Sequence, residues 1–174
     1  MSNSINIINV LRILFLVLAQ IWIFNSMAFQ IGNHIDVHFI IYPLAILALP
    51  VRMPQALVIL ISFVIGLIID VFDNSLGVHA GSLVLMGYIR NLSFAIVEPF
   101  DGYNIQDVPS IRQFGFAWFI SYISINLFVQ IFTYFSLEIF TFIYILDILL
   151  NTITSFIVSI FSIFLIQFIF RTKY

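Results

Sequence analysis

Long apolar stretches separated by short polar turns dominate this chain, and their lengths set the elements it predicts. A helix needs about 20 apolar residues, rising 1.5 Å each, to cross a bilayer. Six segments approach that length: residues 11–29, 37–49, 55–71, 76–97, 112–135 and 147–170. The second is short. Pro50 and Pro54 bracket Arg52 in the turn that follows it, and proline suits a helix stop and a new first turn. Phe72-Asp73-Asn74-Ser75 gathers turn-forming residues between the third and fourth segments. A longer polar loop, 98–111, holds Pro99, Gly102 and Pro109, and a short interfacial helix is expected at 138–146 before the sixth segment. The pattern predicts an all-α, polytopic membrane bundle of six transmembrane helices in a single domain spanning residues 1–174.

Charge orients that bundle. The six basic residues are Arg12, Arg52, Arg90, Arg112, Arg171 and Lys173. Lys and Arg near spanning segments are retained in the cytoplasm. With six crossings and both termini cytoplasmic, the basic loops all fall on the inner side, whereas His34, Asp36, Asp73 and Glu138 fall on the outer one. A re-entrant second segment would leave five crossings and break the bias. The composition agrees: 63% of the 174 residues are hydrophobic and 8% charged, against about 25% charged in a soluble domain. No small-residue cleavage site follows the first apolar run, which is expected to stay as an anchor. Cysteine is absent, which excludes disulfides and thiol chemistry. The net charge of -2 gives no reason to expect nucleic-acid binding.

Several polar residues lie inside the apolar segments. Asp70 and His79 flank the outer turn at similar depth, and an intramembrane carboxylate demands a partner, for which the His79 ring and the Ser75 hydroxyl are the candidates. The pair could pin the hairpin, relay protons or meet a partner helix. Gly77 and Gly81 make a G-x-x-x-G step, with Ala80 and Gly87 on an adjoining face, suited to close packing against the third segment or to dimerisation. Arg90, in the inner half of the fourth segment, is expected to snorkel toward the cytoplasm or to pair with Glu98. Two polar stripes follow: Asn126, Gln130 and Thr133 on the fifth segment, and Asp147, Asn151, Ser155, Ser159 and Ser162 on the sixth. Each set shares a helical face that avoids lipid, for internal hydrogen bonding, a substrate cavity or a partner groove. Nucleotide, zinc-protease and nucleophile-elbow motifs are missing, and His34 and His38 have only Asp36 nearby, so neither an enzyme nor a metal site is expected.

One part of the pattern is more specific. Gly66 through Asp70, a short polar turn, then Leu76-Gly77-Val78-His79-Ala80 resembles the rod shape-determining protein MreD family, with its G-x-x-x-D helix end and following L-G-x-H-A. Leu11-Arg12, Gln20 and Leu49-Pro50-Val51-Arg52-Met53-Pro54 are similar to family features as well. The resemblance covers roughly Arg12 to Arg90 and carries over Gly66, Asp70, Gly77 and His79; the Phe richness (21 residues) and the long last apolar stretch depart from it and leave the start of the sixth span open. It implies a non-catalytic scaffold of the cell-elongation machinery in the bacterial cytoplasmic membrane. That scaffold would be partnered by the bitopic protein MreC and linked through it to the MreB filament, the RodA glycosyltransferase and a class B penicillin-binding protein, with no cofactor. It also implies a fold similar to the six-helix substrate-binding subunits of vitamin uptake transporters. A subunit of that kind is the alternative function, with His34, Asp70, His79 and Asn151 able to line an outward cavity.

Overall fold

A computed structural model describes residues 13–24, 27, 29–31, 35–104 and 107–169. Both termini, with Arg12, Arg171 and Lys173, and His34 lie outside the described residues. Helix α1 covers Ile13–Phe24, its last five residues, Gln20–Phe24, wound as a wider π-helix. Strands β1 (Phe29–Ile31) and β2 (Ile35–Val37) pair antiparallel, with Gln30 opposite Asp36. Short helix α2 is Pro43–Leu47. Helices α3 (Gln55–Asp73) and α4 (Val78–Ile96) form a hairpin. One-turn helix α5 (Ile111–Phe114), α6 (Phe116–Ile139), a 3₁₀ turn (Phe142–Tyr144) and α7 (Ile145–Ile169) complete the order.

Helices α3, α6 and α7 are each long and apolar enough to cross a membrane. Helix α4 matches α3 at 19 residues, but His79, Arg90 and Asn91 make it more polar, and it packs between α3 and α6. Side chains such as Leu60, Val71, Leu92, Ile157 and Phe161 point outward from the bundle. In water such a surface would be costly; in lipid it is the natural exterior.

The second expected span corrects the all-α reading. Residues 37–49 do not form one helix. They leave β2 in extended conformation and enter the five-residue α2 only at Pro43. Proline supplies no N–H, so helical hydrogen bonding can begin there but cannot run through, although Tyr42 before it already has helical angles. This segment is nonetheless the centre of the core, with Val37, Ile40, Ile41, Tyr42 and Leu44–Leu49 all buried. Two further boundaries move. Gly115 (φ +86°) separates Arg112, on α5, from α6. The interfacial helix expected at 138–146 is replaced by the end of α6, a left-handed Phe140 and the 3₁₀ turn.

Candidate functional site

The α3–α4 hairpin is locked by Asp70. A helix start leaves backbone N–H groups without partners, and a side chain just before the helix usually caps them. Here that position is Gly77, held in the left-handed region (φ +82°), and it offers no side chain. Asp70 reaches across from α3 instead. Its Oδ1 accepts from His79 N (3.0 Å) and from the Ser75 hydroxyl, and its Oδ2 accepts from Ala80 N (3.0 Å). The carboxylate sits at the N-terminal, positive end of the α4 dipole. Ser75 is therefore a partner of Asp70, as expected. The His79 partner is its backbone amide, not its ring.

Close approach is supplied by different glycines from those the G-x-x-x-G step suggested. A Cβ on Gly66 would stand 2.7 Å from Ala80 N, and one on Gly87 would stand 2.6 Å from Ser62 Oγ. These two positions let α3 and α4 touch. Gly77 has open space around it and serves through its backbone angle. Gly81 is exposed and would meet only the tip of Leu137, on α6.

The His79 ring belongs to a second set. Its Nε2 lies 2.8 Å from Asp73 Oδ2, and its Nδ1 lies 2.8 Å from the Tyr42 hydroxyl. Gln130 Nε2 donates to that hydroxyl at 2.7 Å. One proton arrangement satisfies the whole chain: Gln130 donates to Tyr42, Tyr42 to Nδ1, and Nε2–H to Asp73. Tyr134 covers the ring face, its centroid 4.8 Å from that of His79. The set joins α3, α4, α6 and the residue before α2 at one end of the bundle. Gln130 Oε1 is left buried with no hydrogen-bond partner among the described residues.

Arg90 departs from both expectations, neither snorkelling nor pairing with Glu98. It is fully buried. Its Nε donates to the Tyr122 hydroxyl (3.0 Å), and its Nη2 donates to Leu49 O and Pro50 O, with the guanidinium 4.7 Å from the Phe94 ring centre. A cation thus holds two carbonyls of the turn that follows α2, while the Tyr122 hydroxyl donates to Leu47 O at the end of the helix itself. Phe94 stacks on Tyr122 (4.7 Å), and Trp118 stacks on Tyr122 in turn. Burial strengthens the cation–aromatic contact.

The two polar stripes turn inward. Asn126 accepts from the Ser93 hydroxyl at 3.1 Å. On α7, Asn151 Oδ1 accepts from Asp36 N (3.1 Å), Ser155 Oγ from His38 N (3.0 Å) and Ser159 Oγ from Ile40 N (2.9 Å). Ser155 and Ser159 also donate back to Asp36 O and His38 O. Four helical residues advance about 6 Å, and two extended residues advance about 6.6 Å, so the two repeats stay in step. On the other edge of the segment, Gln20 donates to Phe39 O and accepts from Ile41 N. Non-helical backbone is thereby satisfied from both sides. Thr133 and Ser162 bond to carbonyls of their own helices, and Asp147 lies half-buried in the first turn of α7.

Sequence reasoning missed Gln20 and Tyr42 as members of the buried network, and the aromatic stack around Arg90. Gln20 carried a signal, since an isolated amide in an apolar run needs a partner. The long apolar helices and the inward polar residues define a membrane-associated helical bundle. In comparisons with protein-family models, curated proteins and solved structures, nothing matches the chain.

Proposed function

We propose that this chain is a non-catalytic, multi-pass scaffold of the bacterial cytoplasmic membrane. It would hold the transmembrane helix of an MreC-like bitopic partner within the cell-elongation machinery, and through it communicate with an MreB filament, a RodA glycosyltransferase and a class B penicillin-binding protein. The observation that carries this reading is where the buried polar groups point. Asp70, Arg90, Asn151, Ser155 and Ser159 all engage the chain's own backbone. They brace the bundle from within and leave apolar outer faces, as a rigid platform for a membrane helix requires. The residues behind the MreD resemblance have matching duties: Gly66 admits Ala80, Gly77 turns the chain, Asp70 caps α4, and His79 ties the hairpin to Tyr42. A vitamin carrier would need those polar groups turned toward a ligand, whereas Asp70, His79 and Asn151 already have partners inside the chain.

Six crossings remain the proposed topology, with residues 35–49 as the second in extended-then-helical form. Such a segment reaches about 30 Å. Irregular backbone is tolerated at membrane depth where protein satisfies it. Co-expression with a tagged MreC-like protein and extraction in mild detergent tests the role. A stoichiometric complex is the expected result; recovery of the two proteins separately would overturn it.

A further inference from the structure

Arg52 and Glu98 face one shallow depression of about 410 Å³, whose walls include Asn91, Phe94 and Tyr103. It lies where the turn before α3 meets the end of α4. The two side chains are exposed, carry opposite charge, and are not ion-paired among the described residues. Among the described residues Arg52 makes one hydrogen bond, an Nη2 donation to Tyr103 O at 3.3 Å, and the guanidinium has further donors to offer. Two opposite charges that line a single depression without pairing are poorly matched to a simple ion. An anion drawn to Arg52 meets the Glu98 carboxylate, and a cation drawn to Glu98 meets the guanidinium. A ligand carrying both charges fits both.

We infer that this depression binds the headgroup of a zwitterionic phospholipid, its phosphate against Arg52 and its primary ammonium against Glu98. Arginine offers several donors in one plane to phosphate oxygens. A primary ammonium can donate hydrogen bonds to a carboxylate, which a quaternary one cannot. A membrane lipid is favoured over a soluble phosphoamine by what adjoins the site. Tyr88, Leu92 and Ile96 form an exposed apolar stripe on α4 beside Asn91 and Glu98, a track for acyl chains running from the headgroup along the helix. The inference rests on the membrane-spanning reading above.

Native mass spectrometry of the detergent-extracted full chain tests it. The protein is titrated with phosphatidylethanolamine, phosphatidylcholine and phosphatidylglycerol of identical acyl chains, and separately with soluble phosphoethanolamine. An exposed charge pair supports a preference of about two- to fivefold for phosphatidylethanolamine over the other two lipids. Glu98→Gln, which removes no hydrogen bond within the described residues, abolishes the preference and strengthens phosphatidylglycerol binding, because the carboxylate that opposes an anionic headgroup is gone. Arg52→Gln weakens all three lipids. Preferential binding of phosphatidylglycerol, equal binding of the ethanolamine and choline lipids, or an unchanged preference in Glu98→Gln overturns the inference, and so does equally tight binding of soluble phosphoethanolamine. Failure of the wild-type chain to enter bilayer nanodiscs is a separate result and contradicts the membrane reading itself.

Discussion

Asp70 shows how a single side chain can replace a local signal. Helix α4 starts at a glycine with nothing to cap it, and the cap comes from the preceding helix in two hydrogen bonds to backbone. Removing it leaves two buried N–H groups without acceptors. Loss of a cap and of buried hydrogen bonds together amounts to ~2–4 kcal/mol. Asp70→Ala is therefore expected to lower the melting temperature in detergent substantially, and Asp70→Asn to lower it less. The amide oxygen can still accept from one helical N–H, while its NH₂ faces the other. Equal melting of Asp70→Ala and wild type would contradict the cap. From the sequence, the need for a partner was legible because a carboxylate in an apolar helix is expensive. The identity of the partner was not. Residue type and depth suggested the ring of His79, but only the backbone path through the left-handed Asn74 and Gly77 aims the amides of α4 at Asp70.

At the scale of elements, the pairing of α7 with the extended segment organises the core. Asn151, Ser155 and Ser159 serve alternate residues of that segment because the helical and extended repeats nearly coincide. Each serine hydroxyl that is lost strands a backbone N–H, buried at Ile40 and part-buried at His38, at a cost of ~1–3 kcal/mol. Ser155→Ala and Ser159→Ala are each expected to destabilise by that amount. Ser162→Ala, whose hydroxyl among the described residues returns to Val158 O of its own turn, is expected to change little. Denaturant titration of the three variants in micelles reads the difference, and equal losses at Ser159 and Ser162 would contradict the ladder. The long helices were legible as uninterrupted apolar runs, as were the turns at 50–54 and 72–75. The second segment was not, because its apolar content met the helical expectation while two subtler signals pointed elsewhere. Pro43 stands near its middle, and Asp36 and His38 alternate with apolar neighbours at the period of a strand. The serine stripe was legible as a face that avoids lipid. Its task depended on a strand that had been read as a helix.

Across the whole molecule, a hairpin lock at one end of the bundle and an arginine–aromatic clamp at the other are joined by the extended-then-helical segment that runs between them. The His79 ring holds Tyr42 near the turn at 74–77, and Arg90 holds Leu49 and Pro50 beside the turn at 50–54. The proposed topology puts these two ends on opposite sides of a bilayer, as the clustering of Arg and Lys suggests. The chain contains no cysteine, so single reporters can be placed without background. Leu76 and Phe140 are exposed at one set of turns, and Phe100 is exposed in the loop at the opposite end. The most direct measurement is labelling of Leu76→Cys, Phe140→Cys, Met53→Cys and Phe100→Cys in intact and permeabilised cells with a membrane-impermeant maleimide. The account predicts that Leu76→Cys and Phe140→Cys react in intact cells, and that Met53→Cys and Phe100→Cys react only after permeabilisation. Reaction of Met53→Cys or Phe100→Cys in intact cells, or protection of both outer positions, would contradict it.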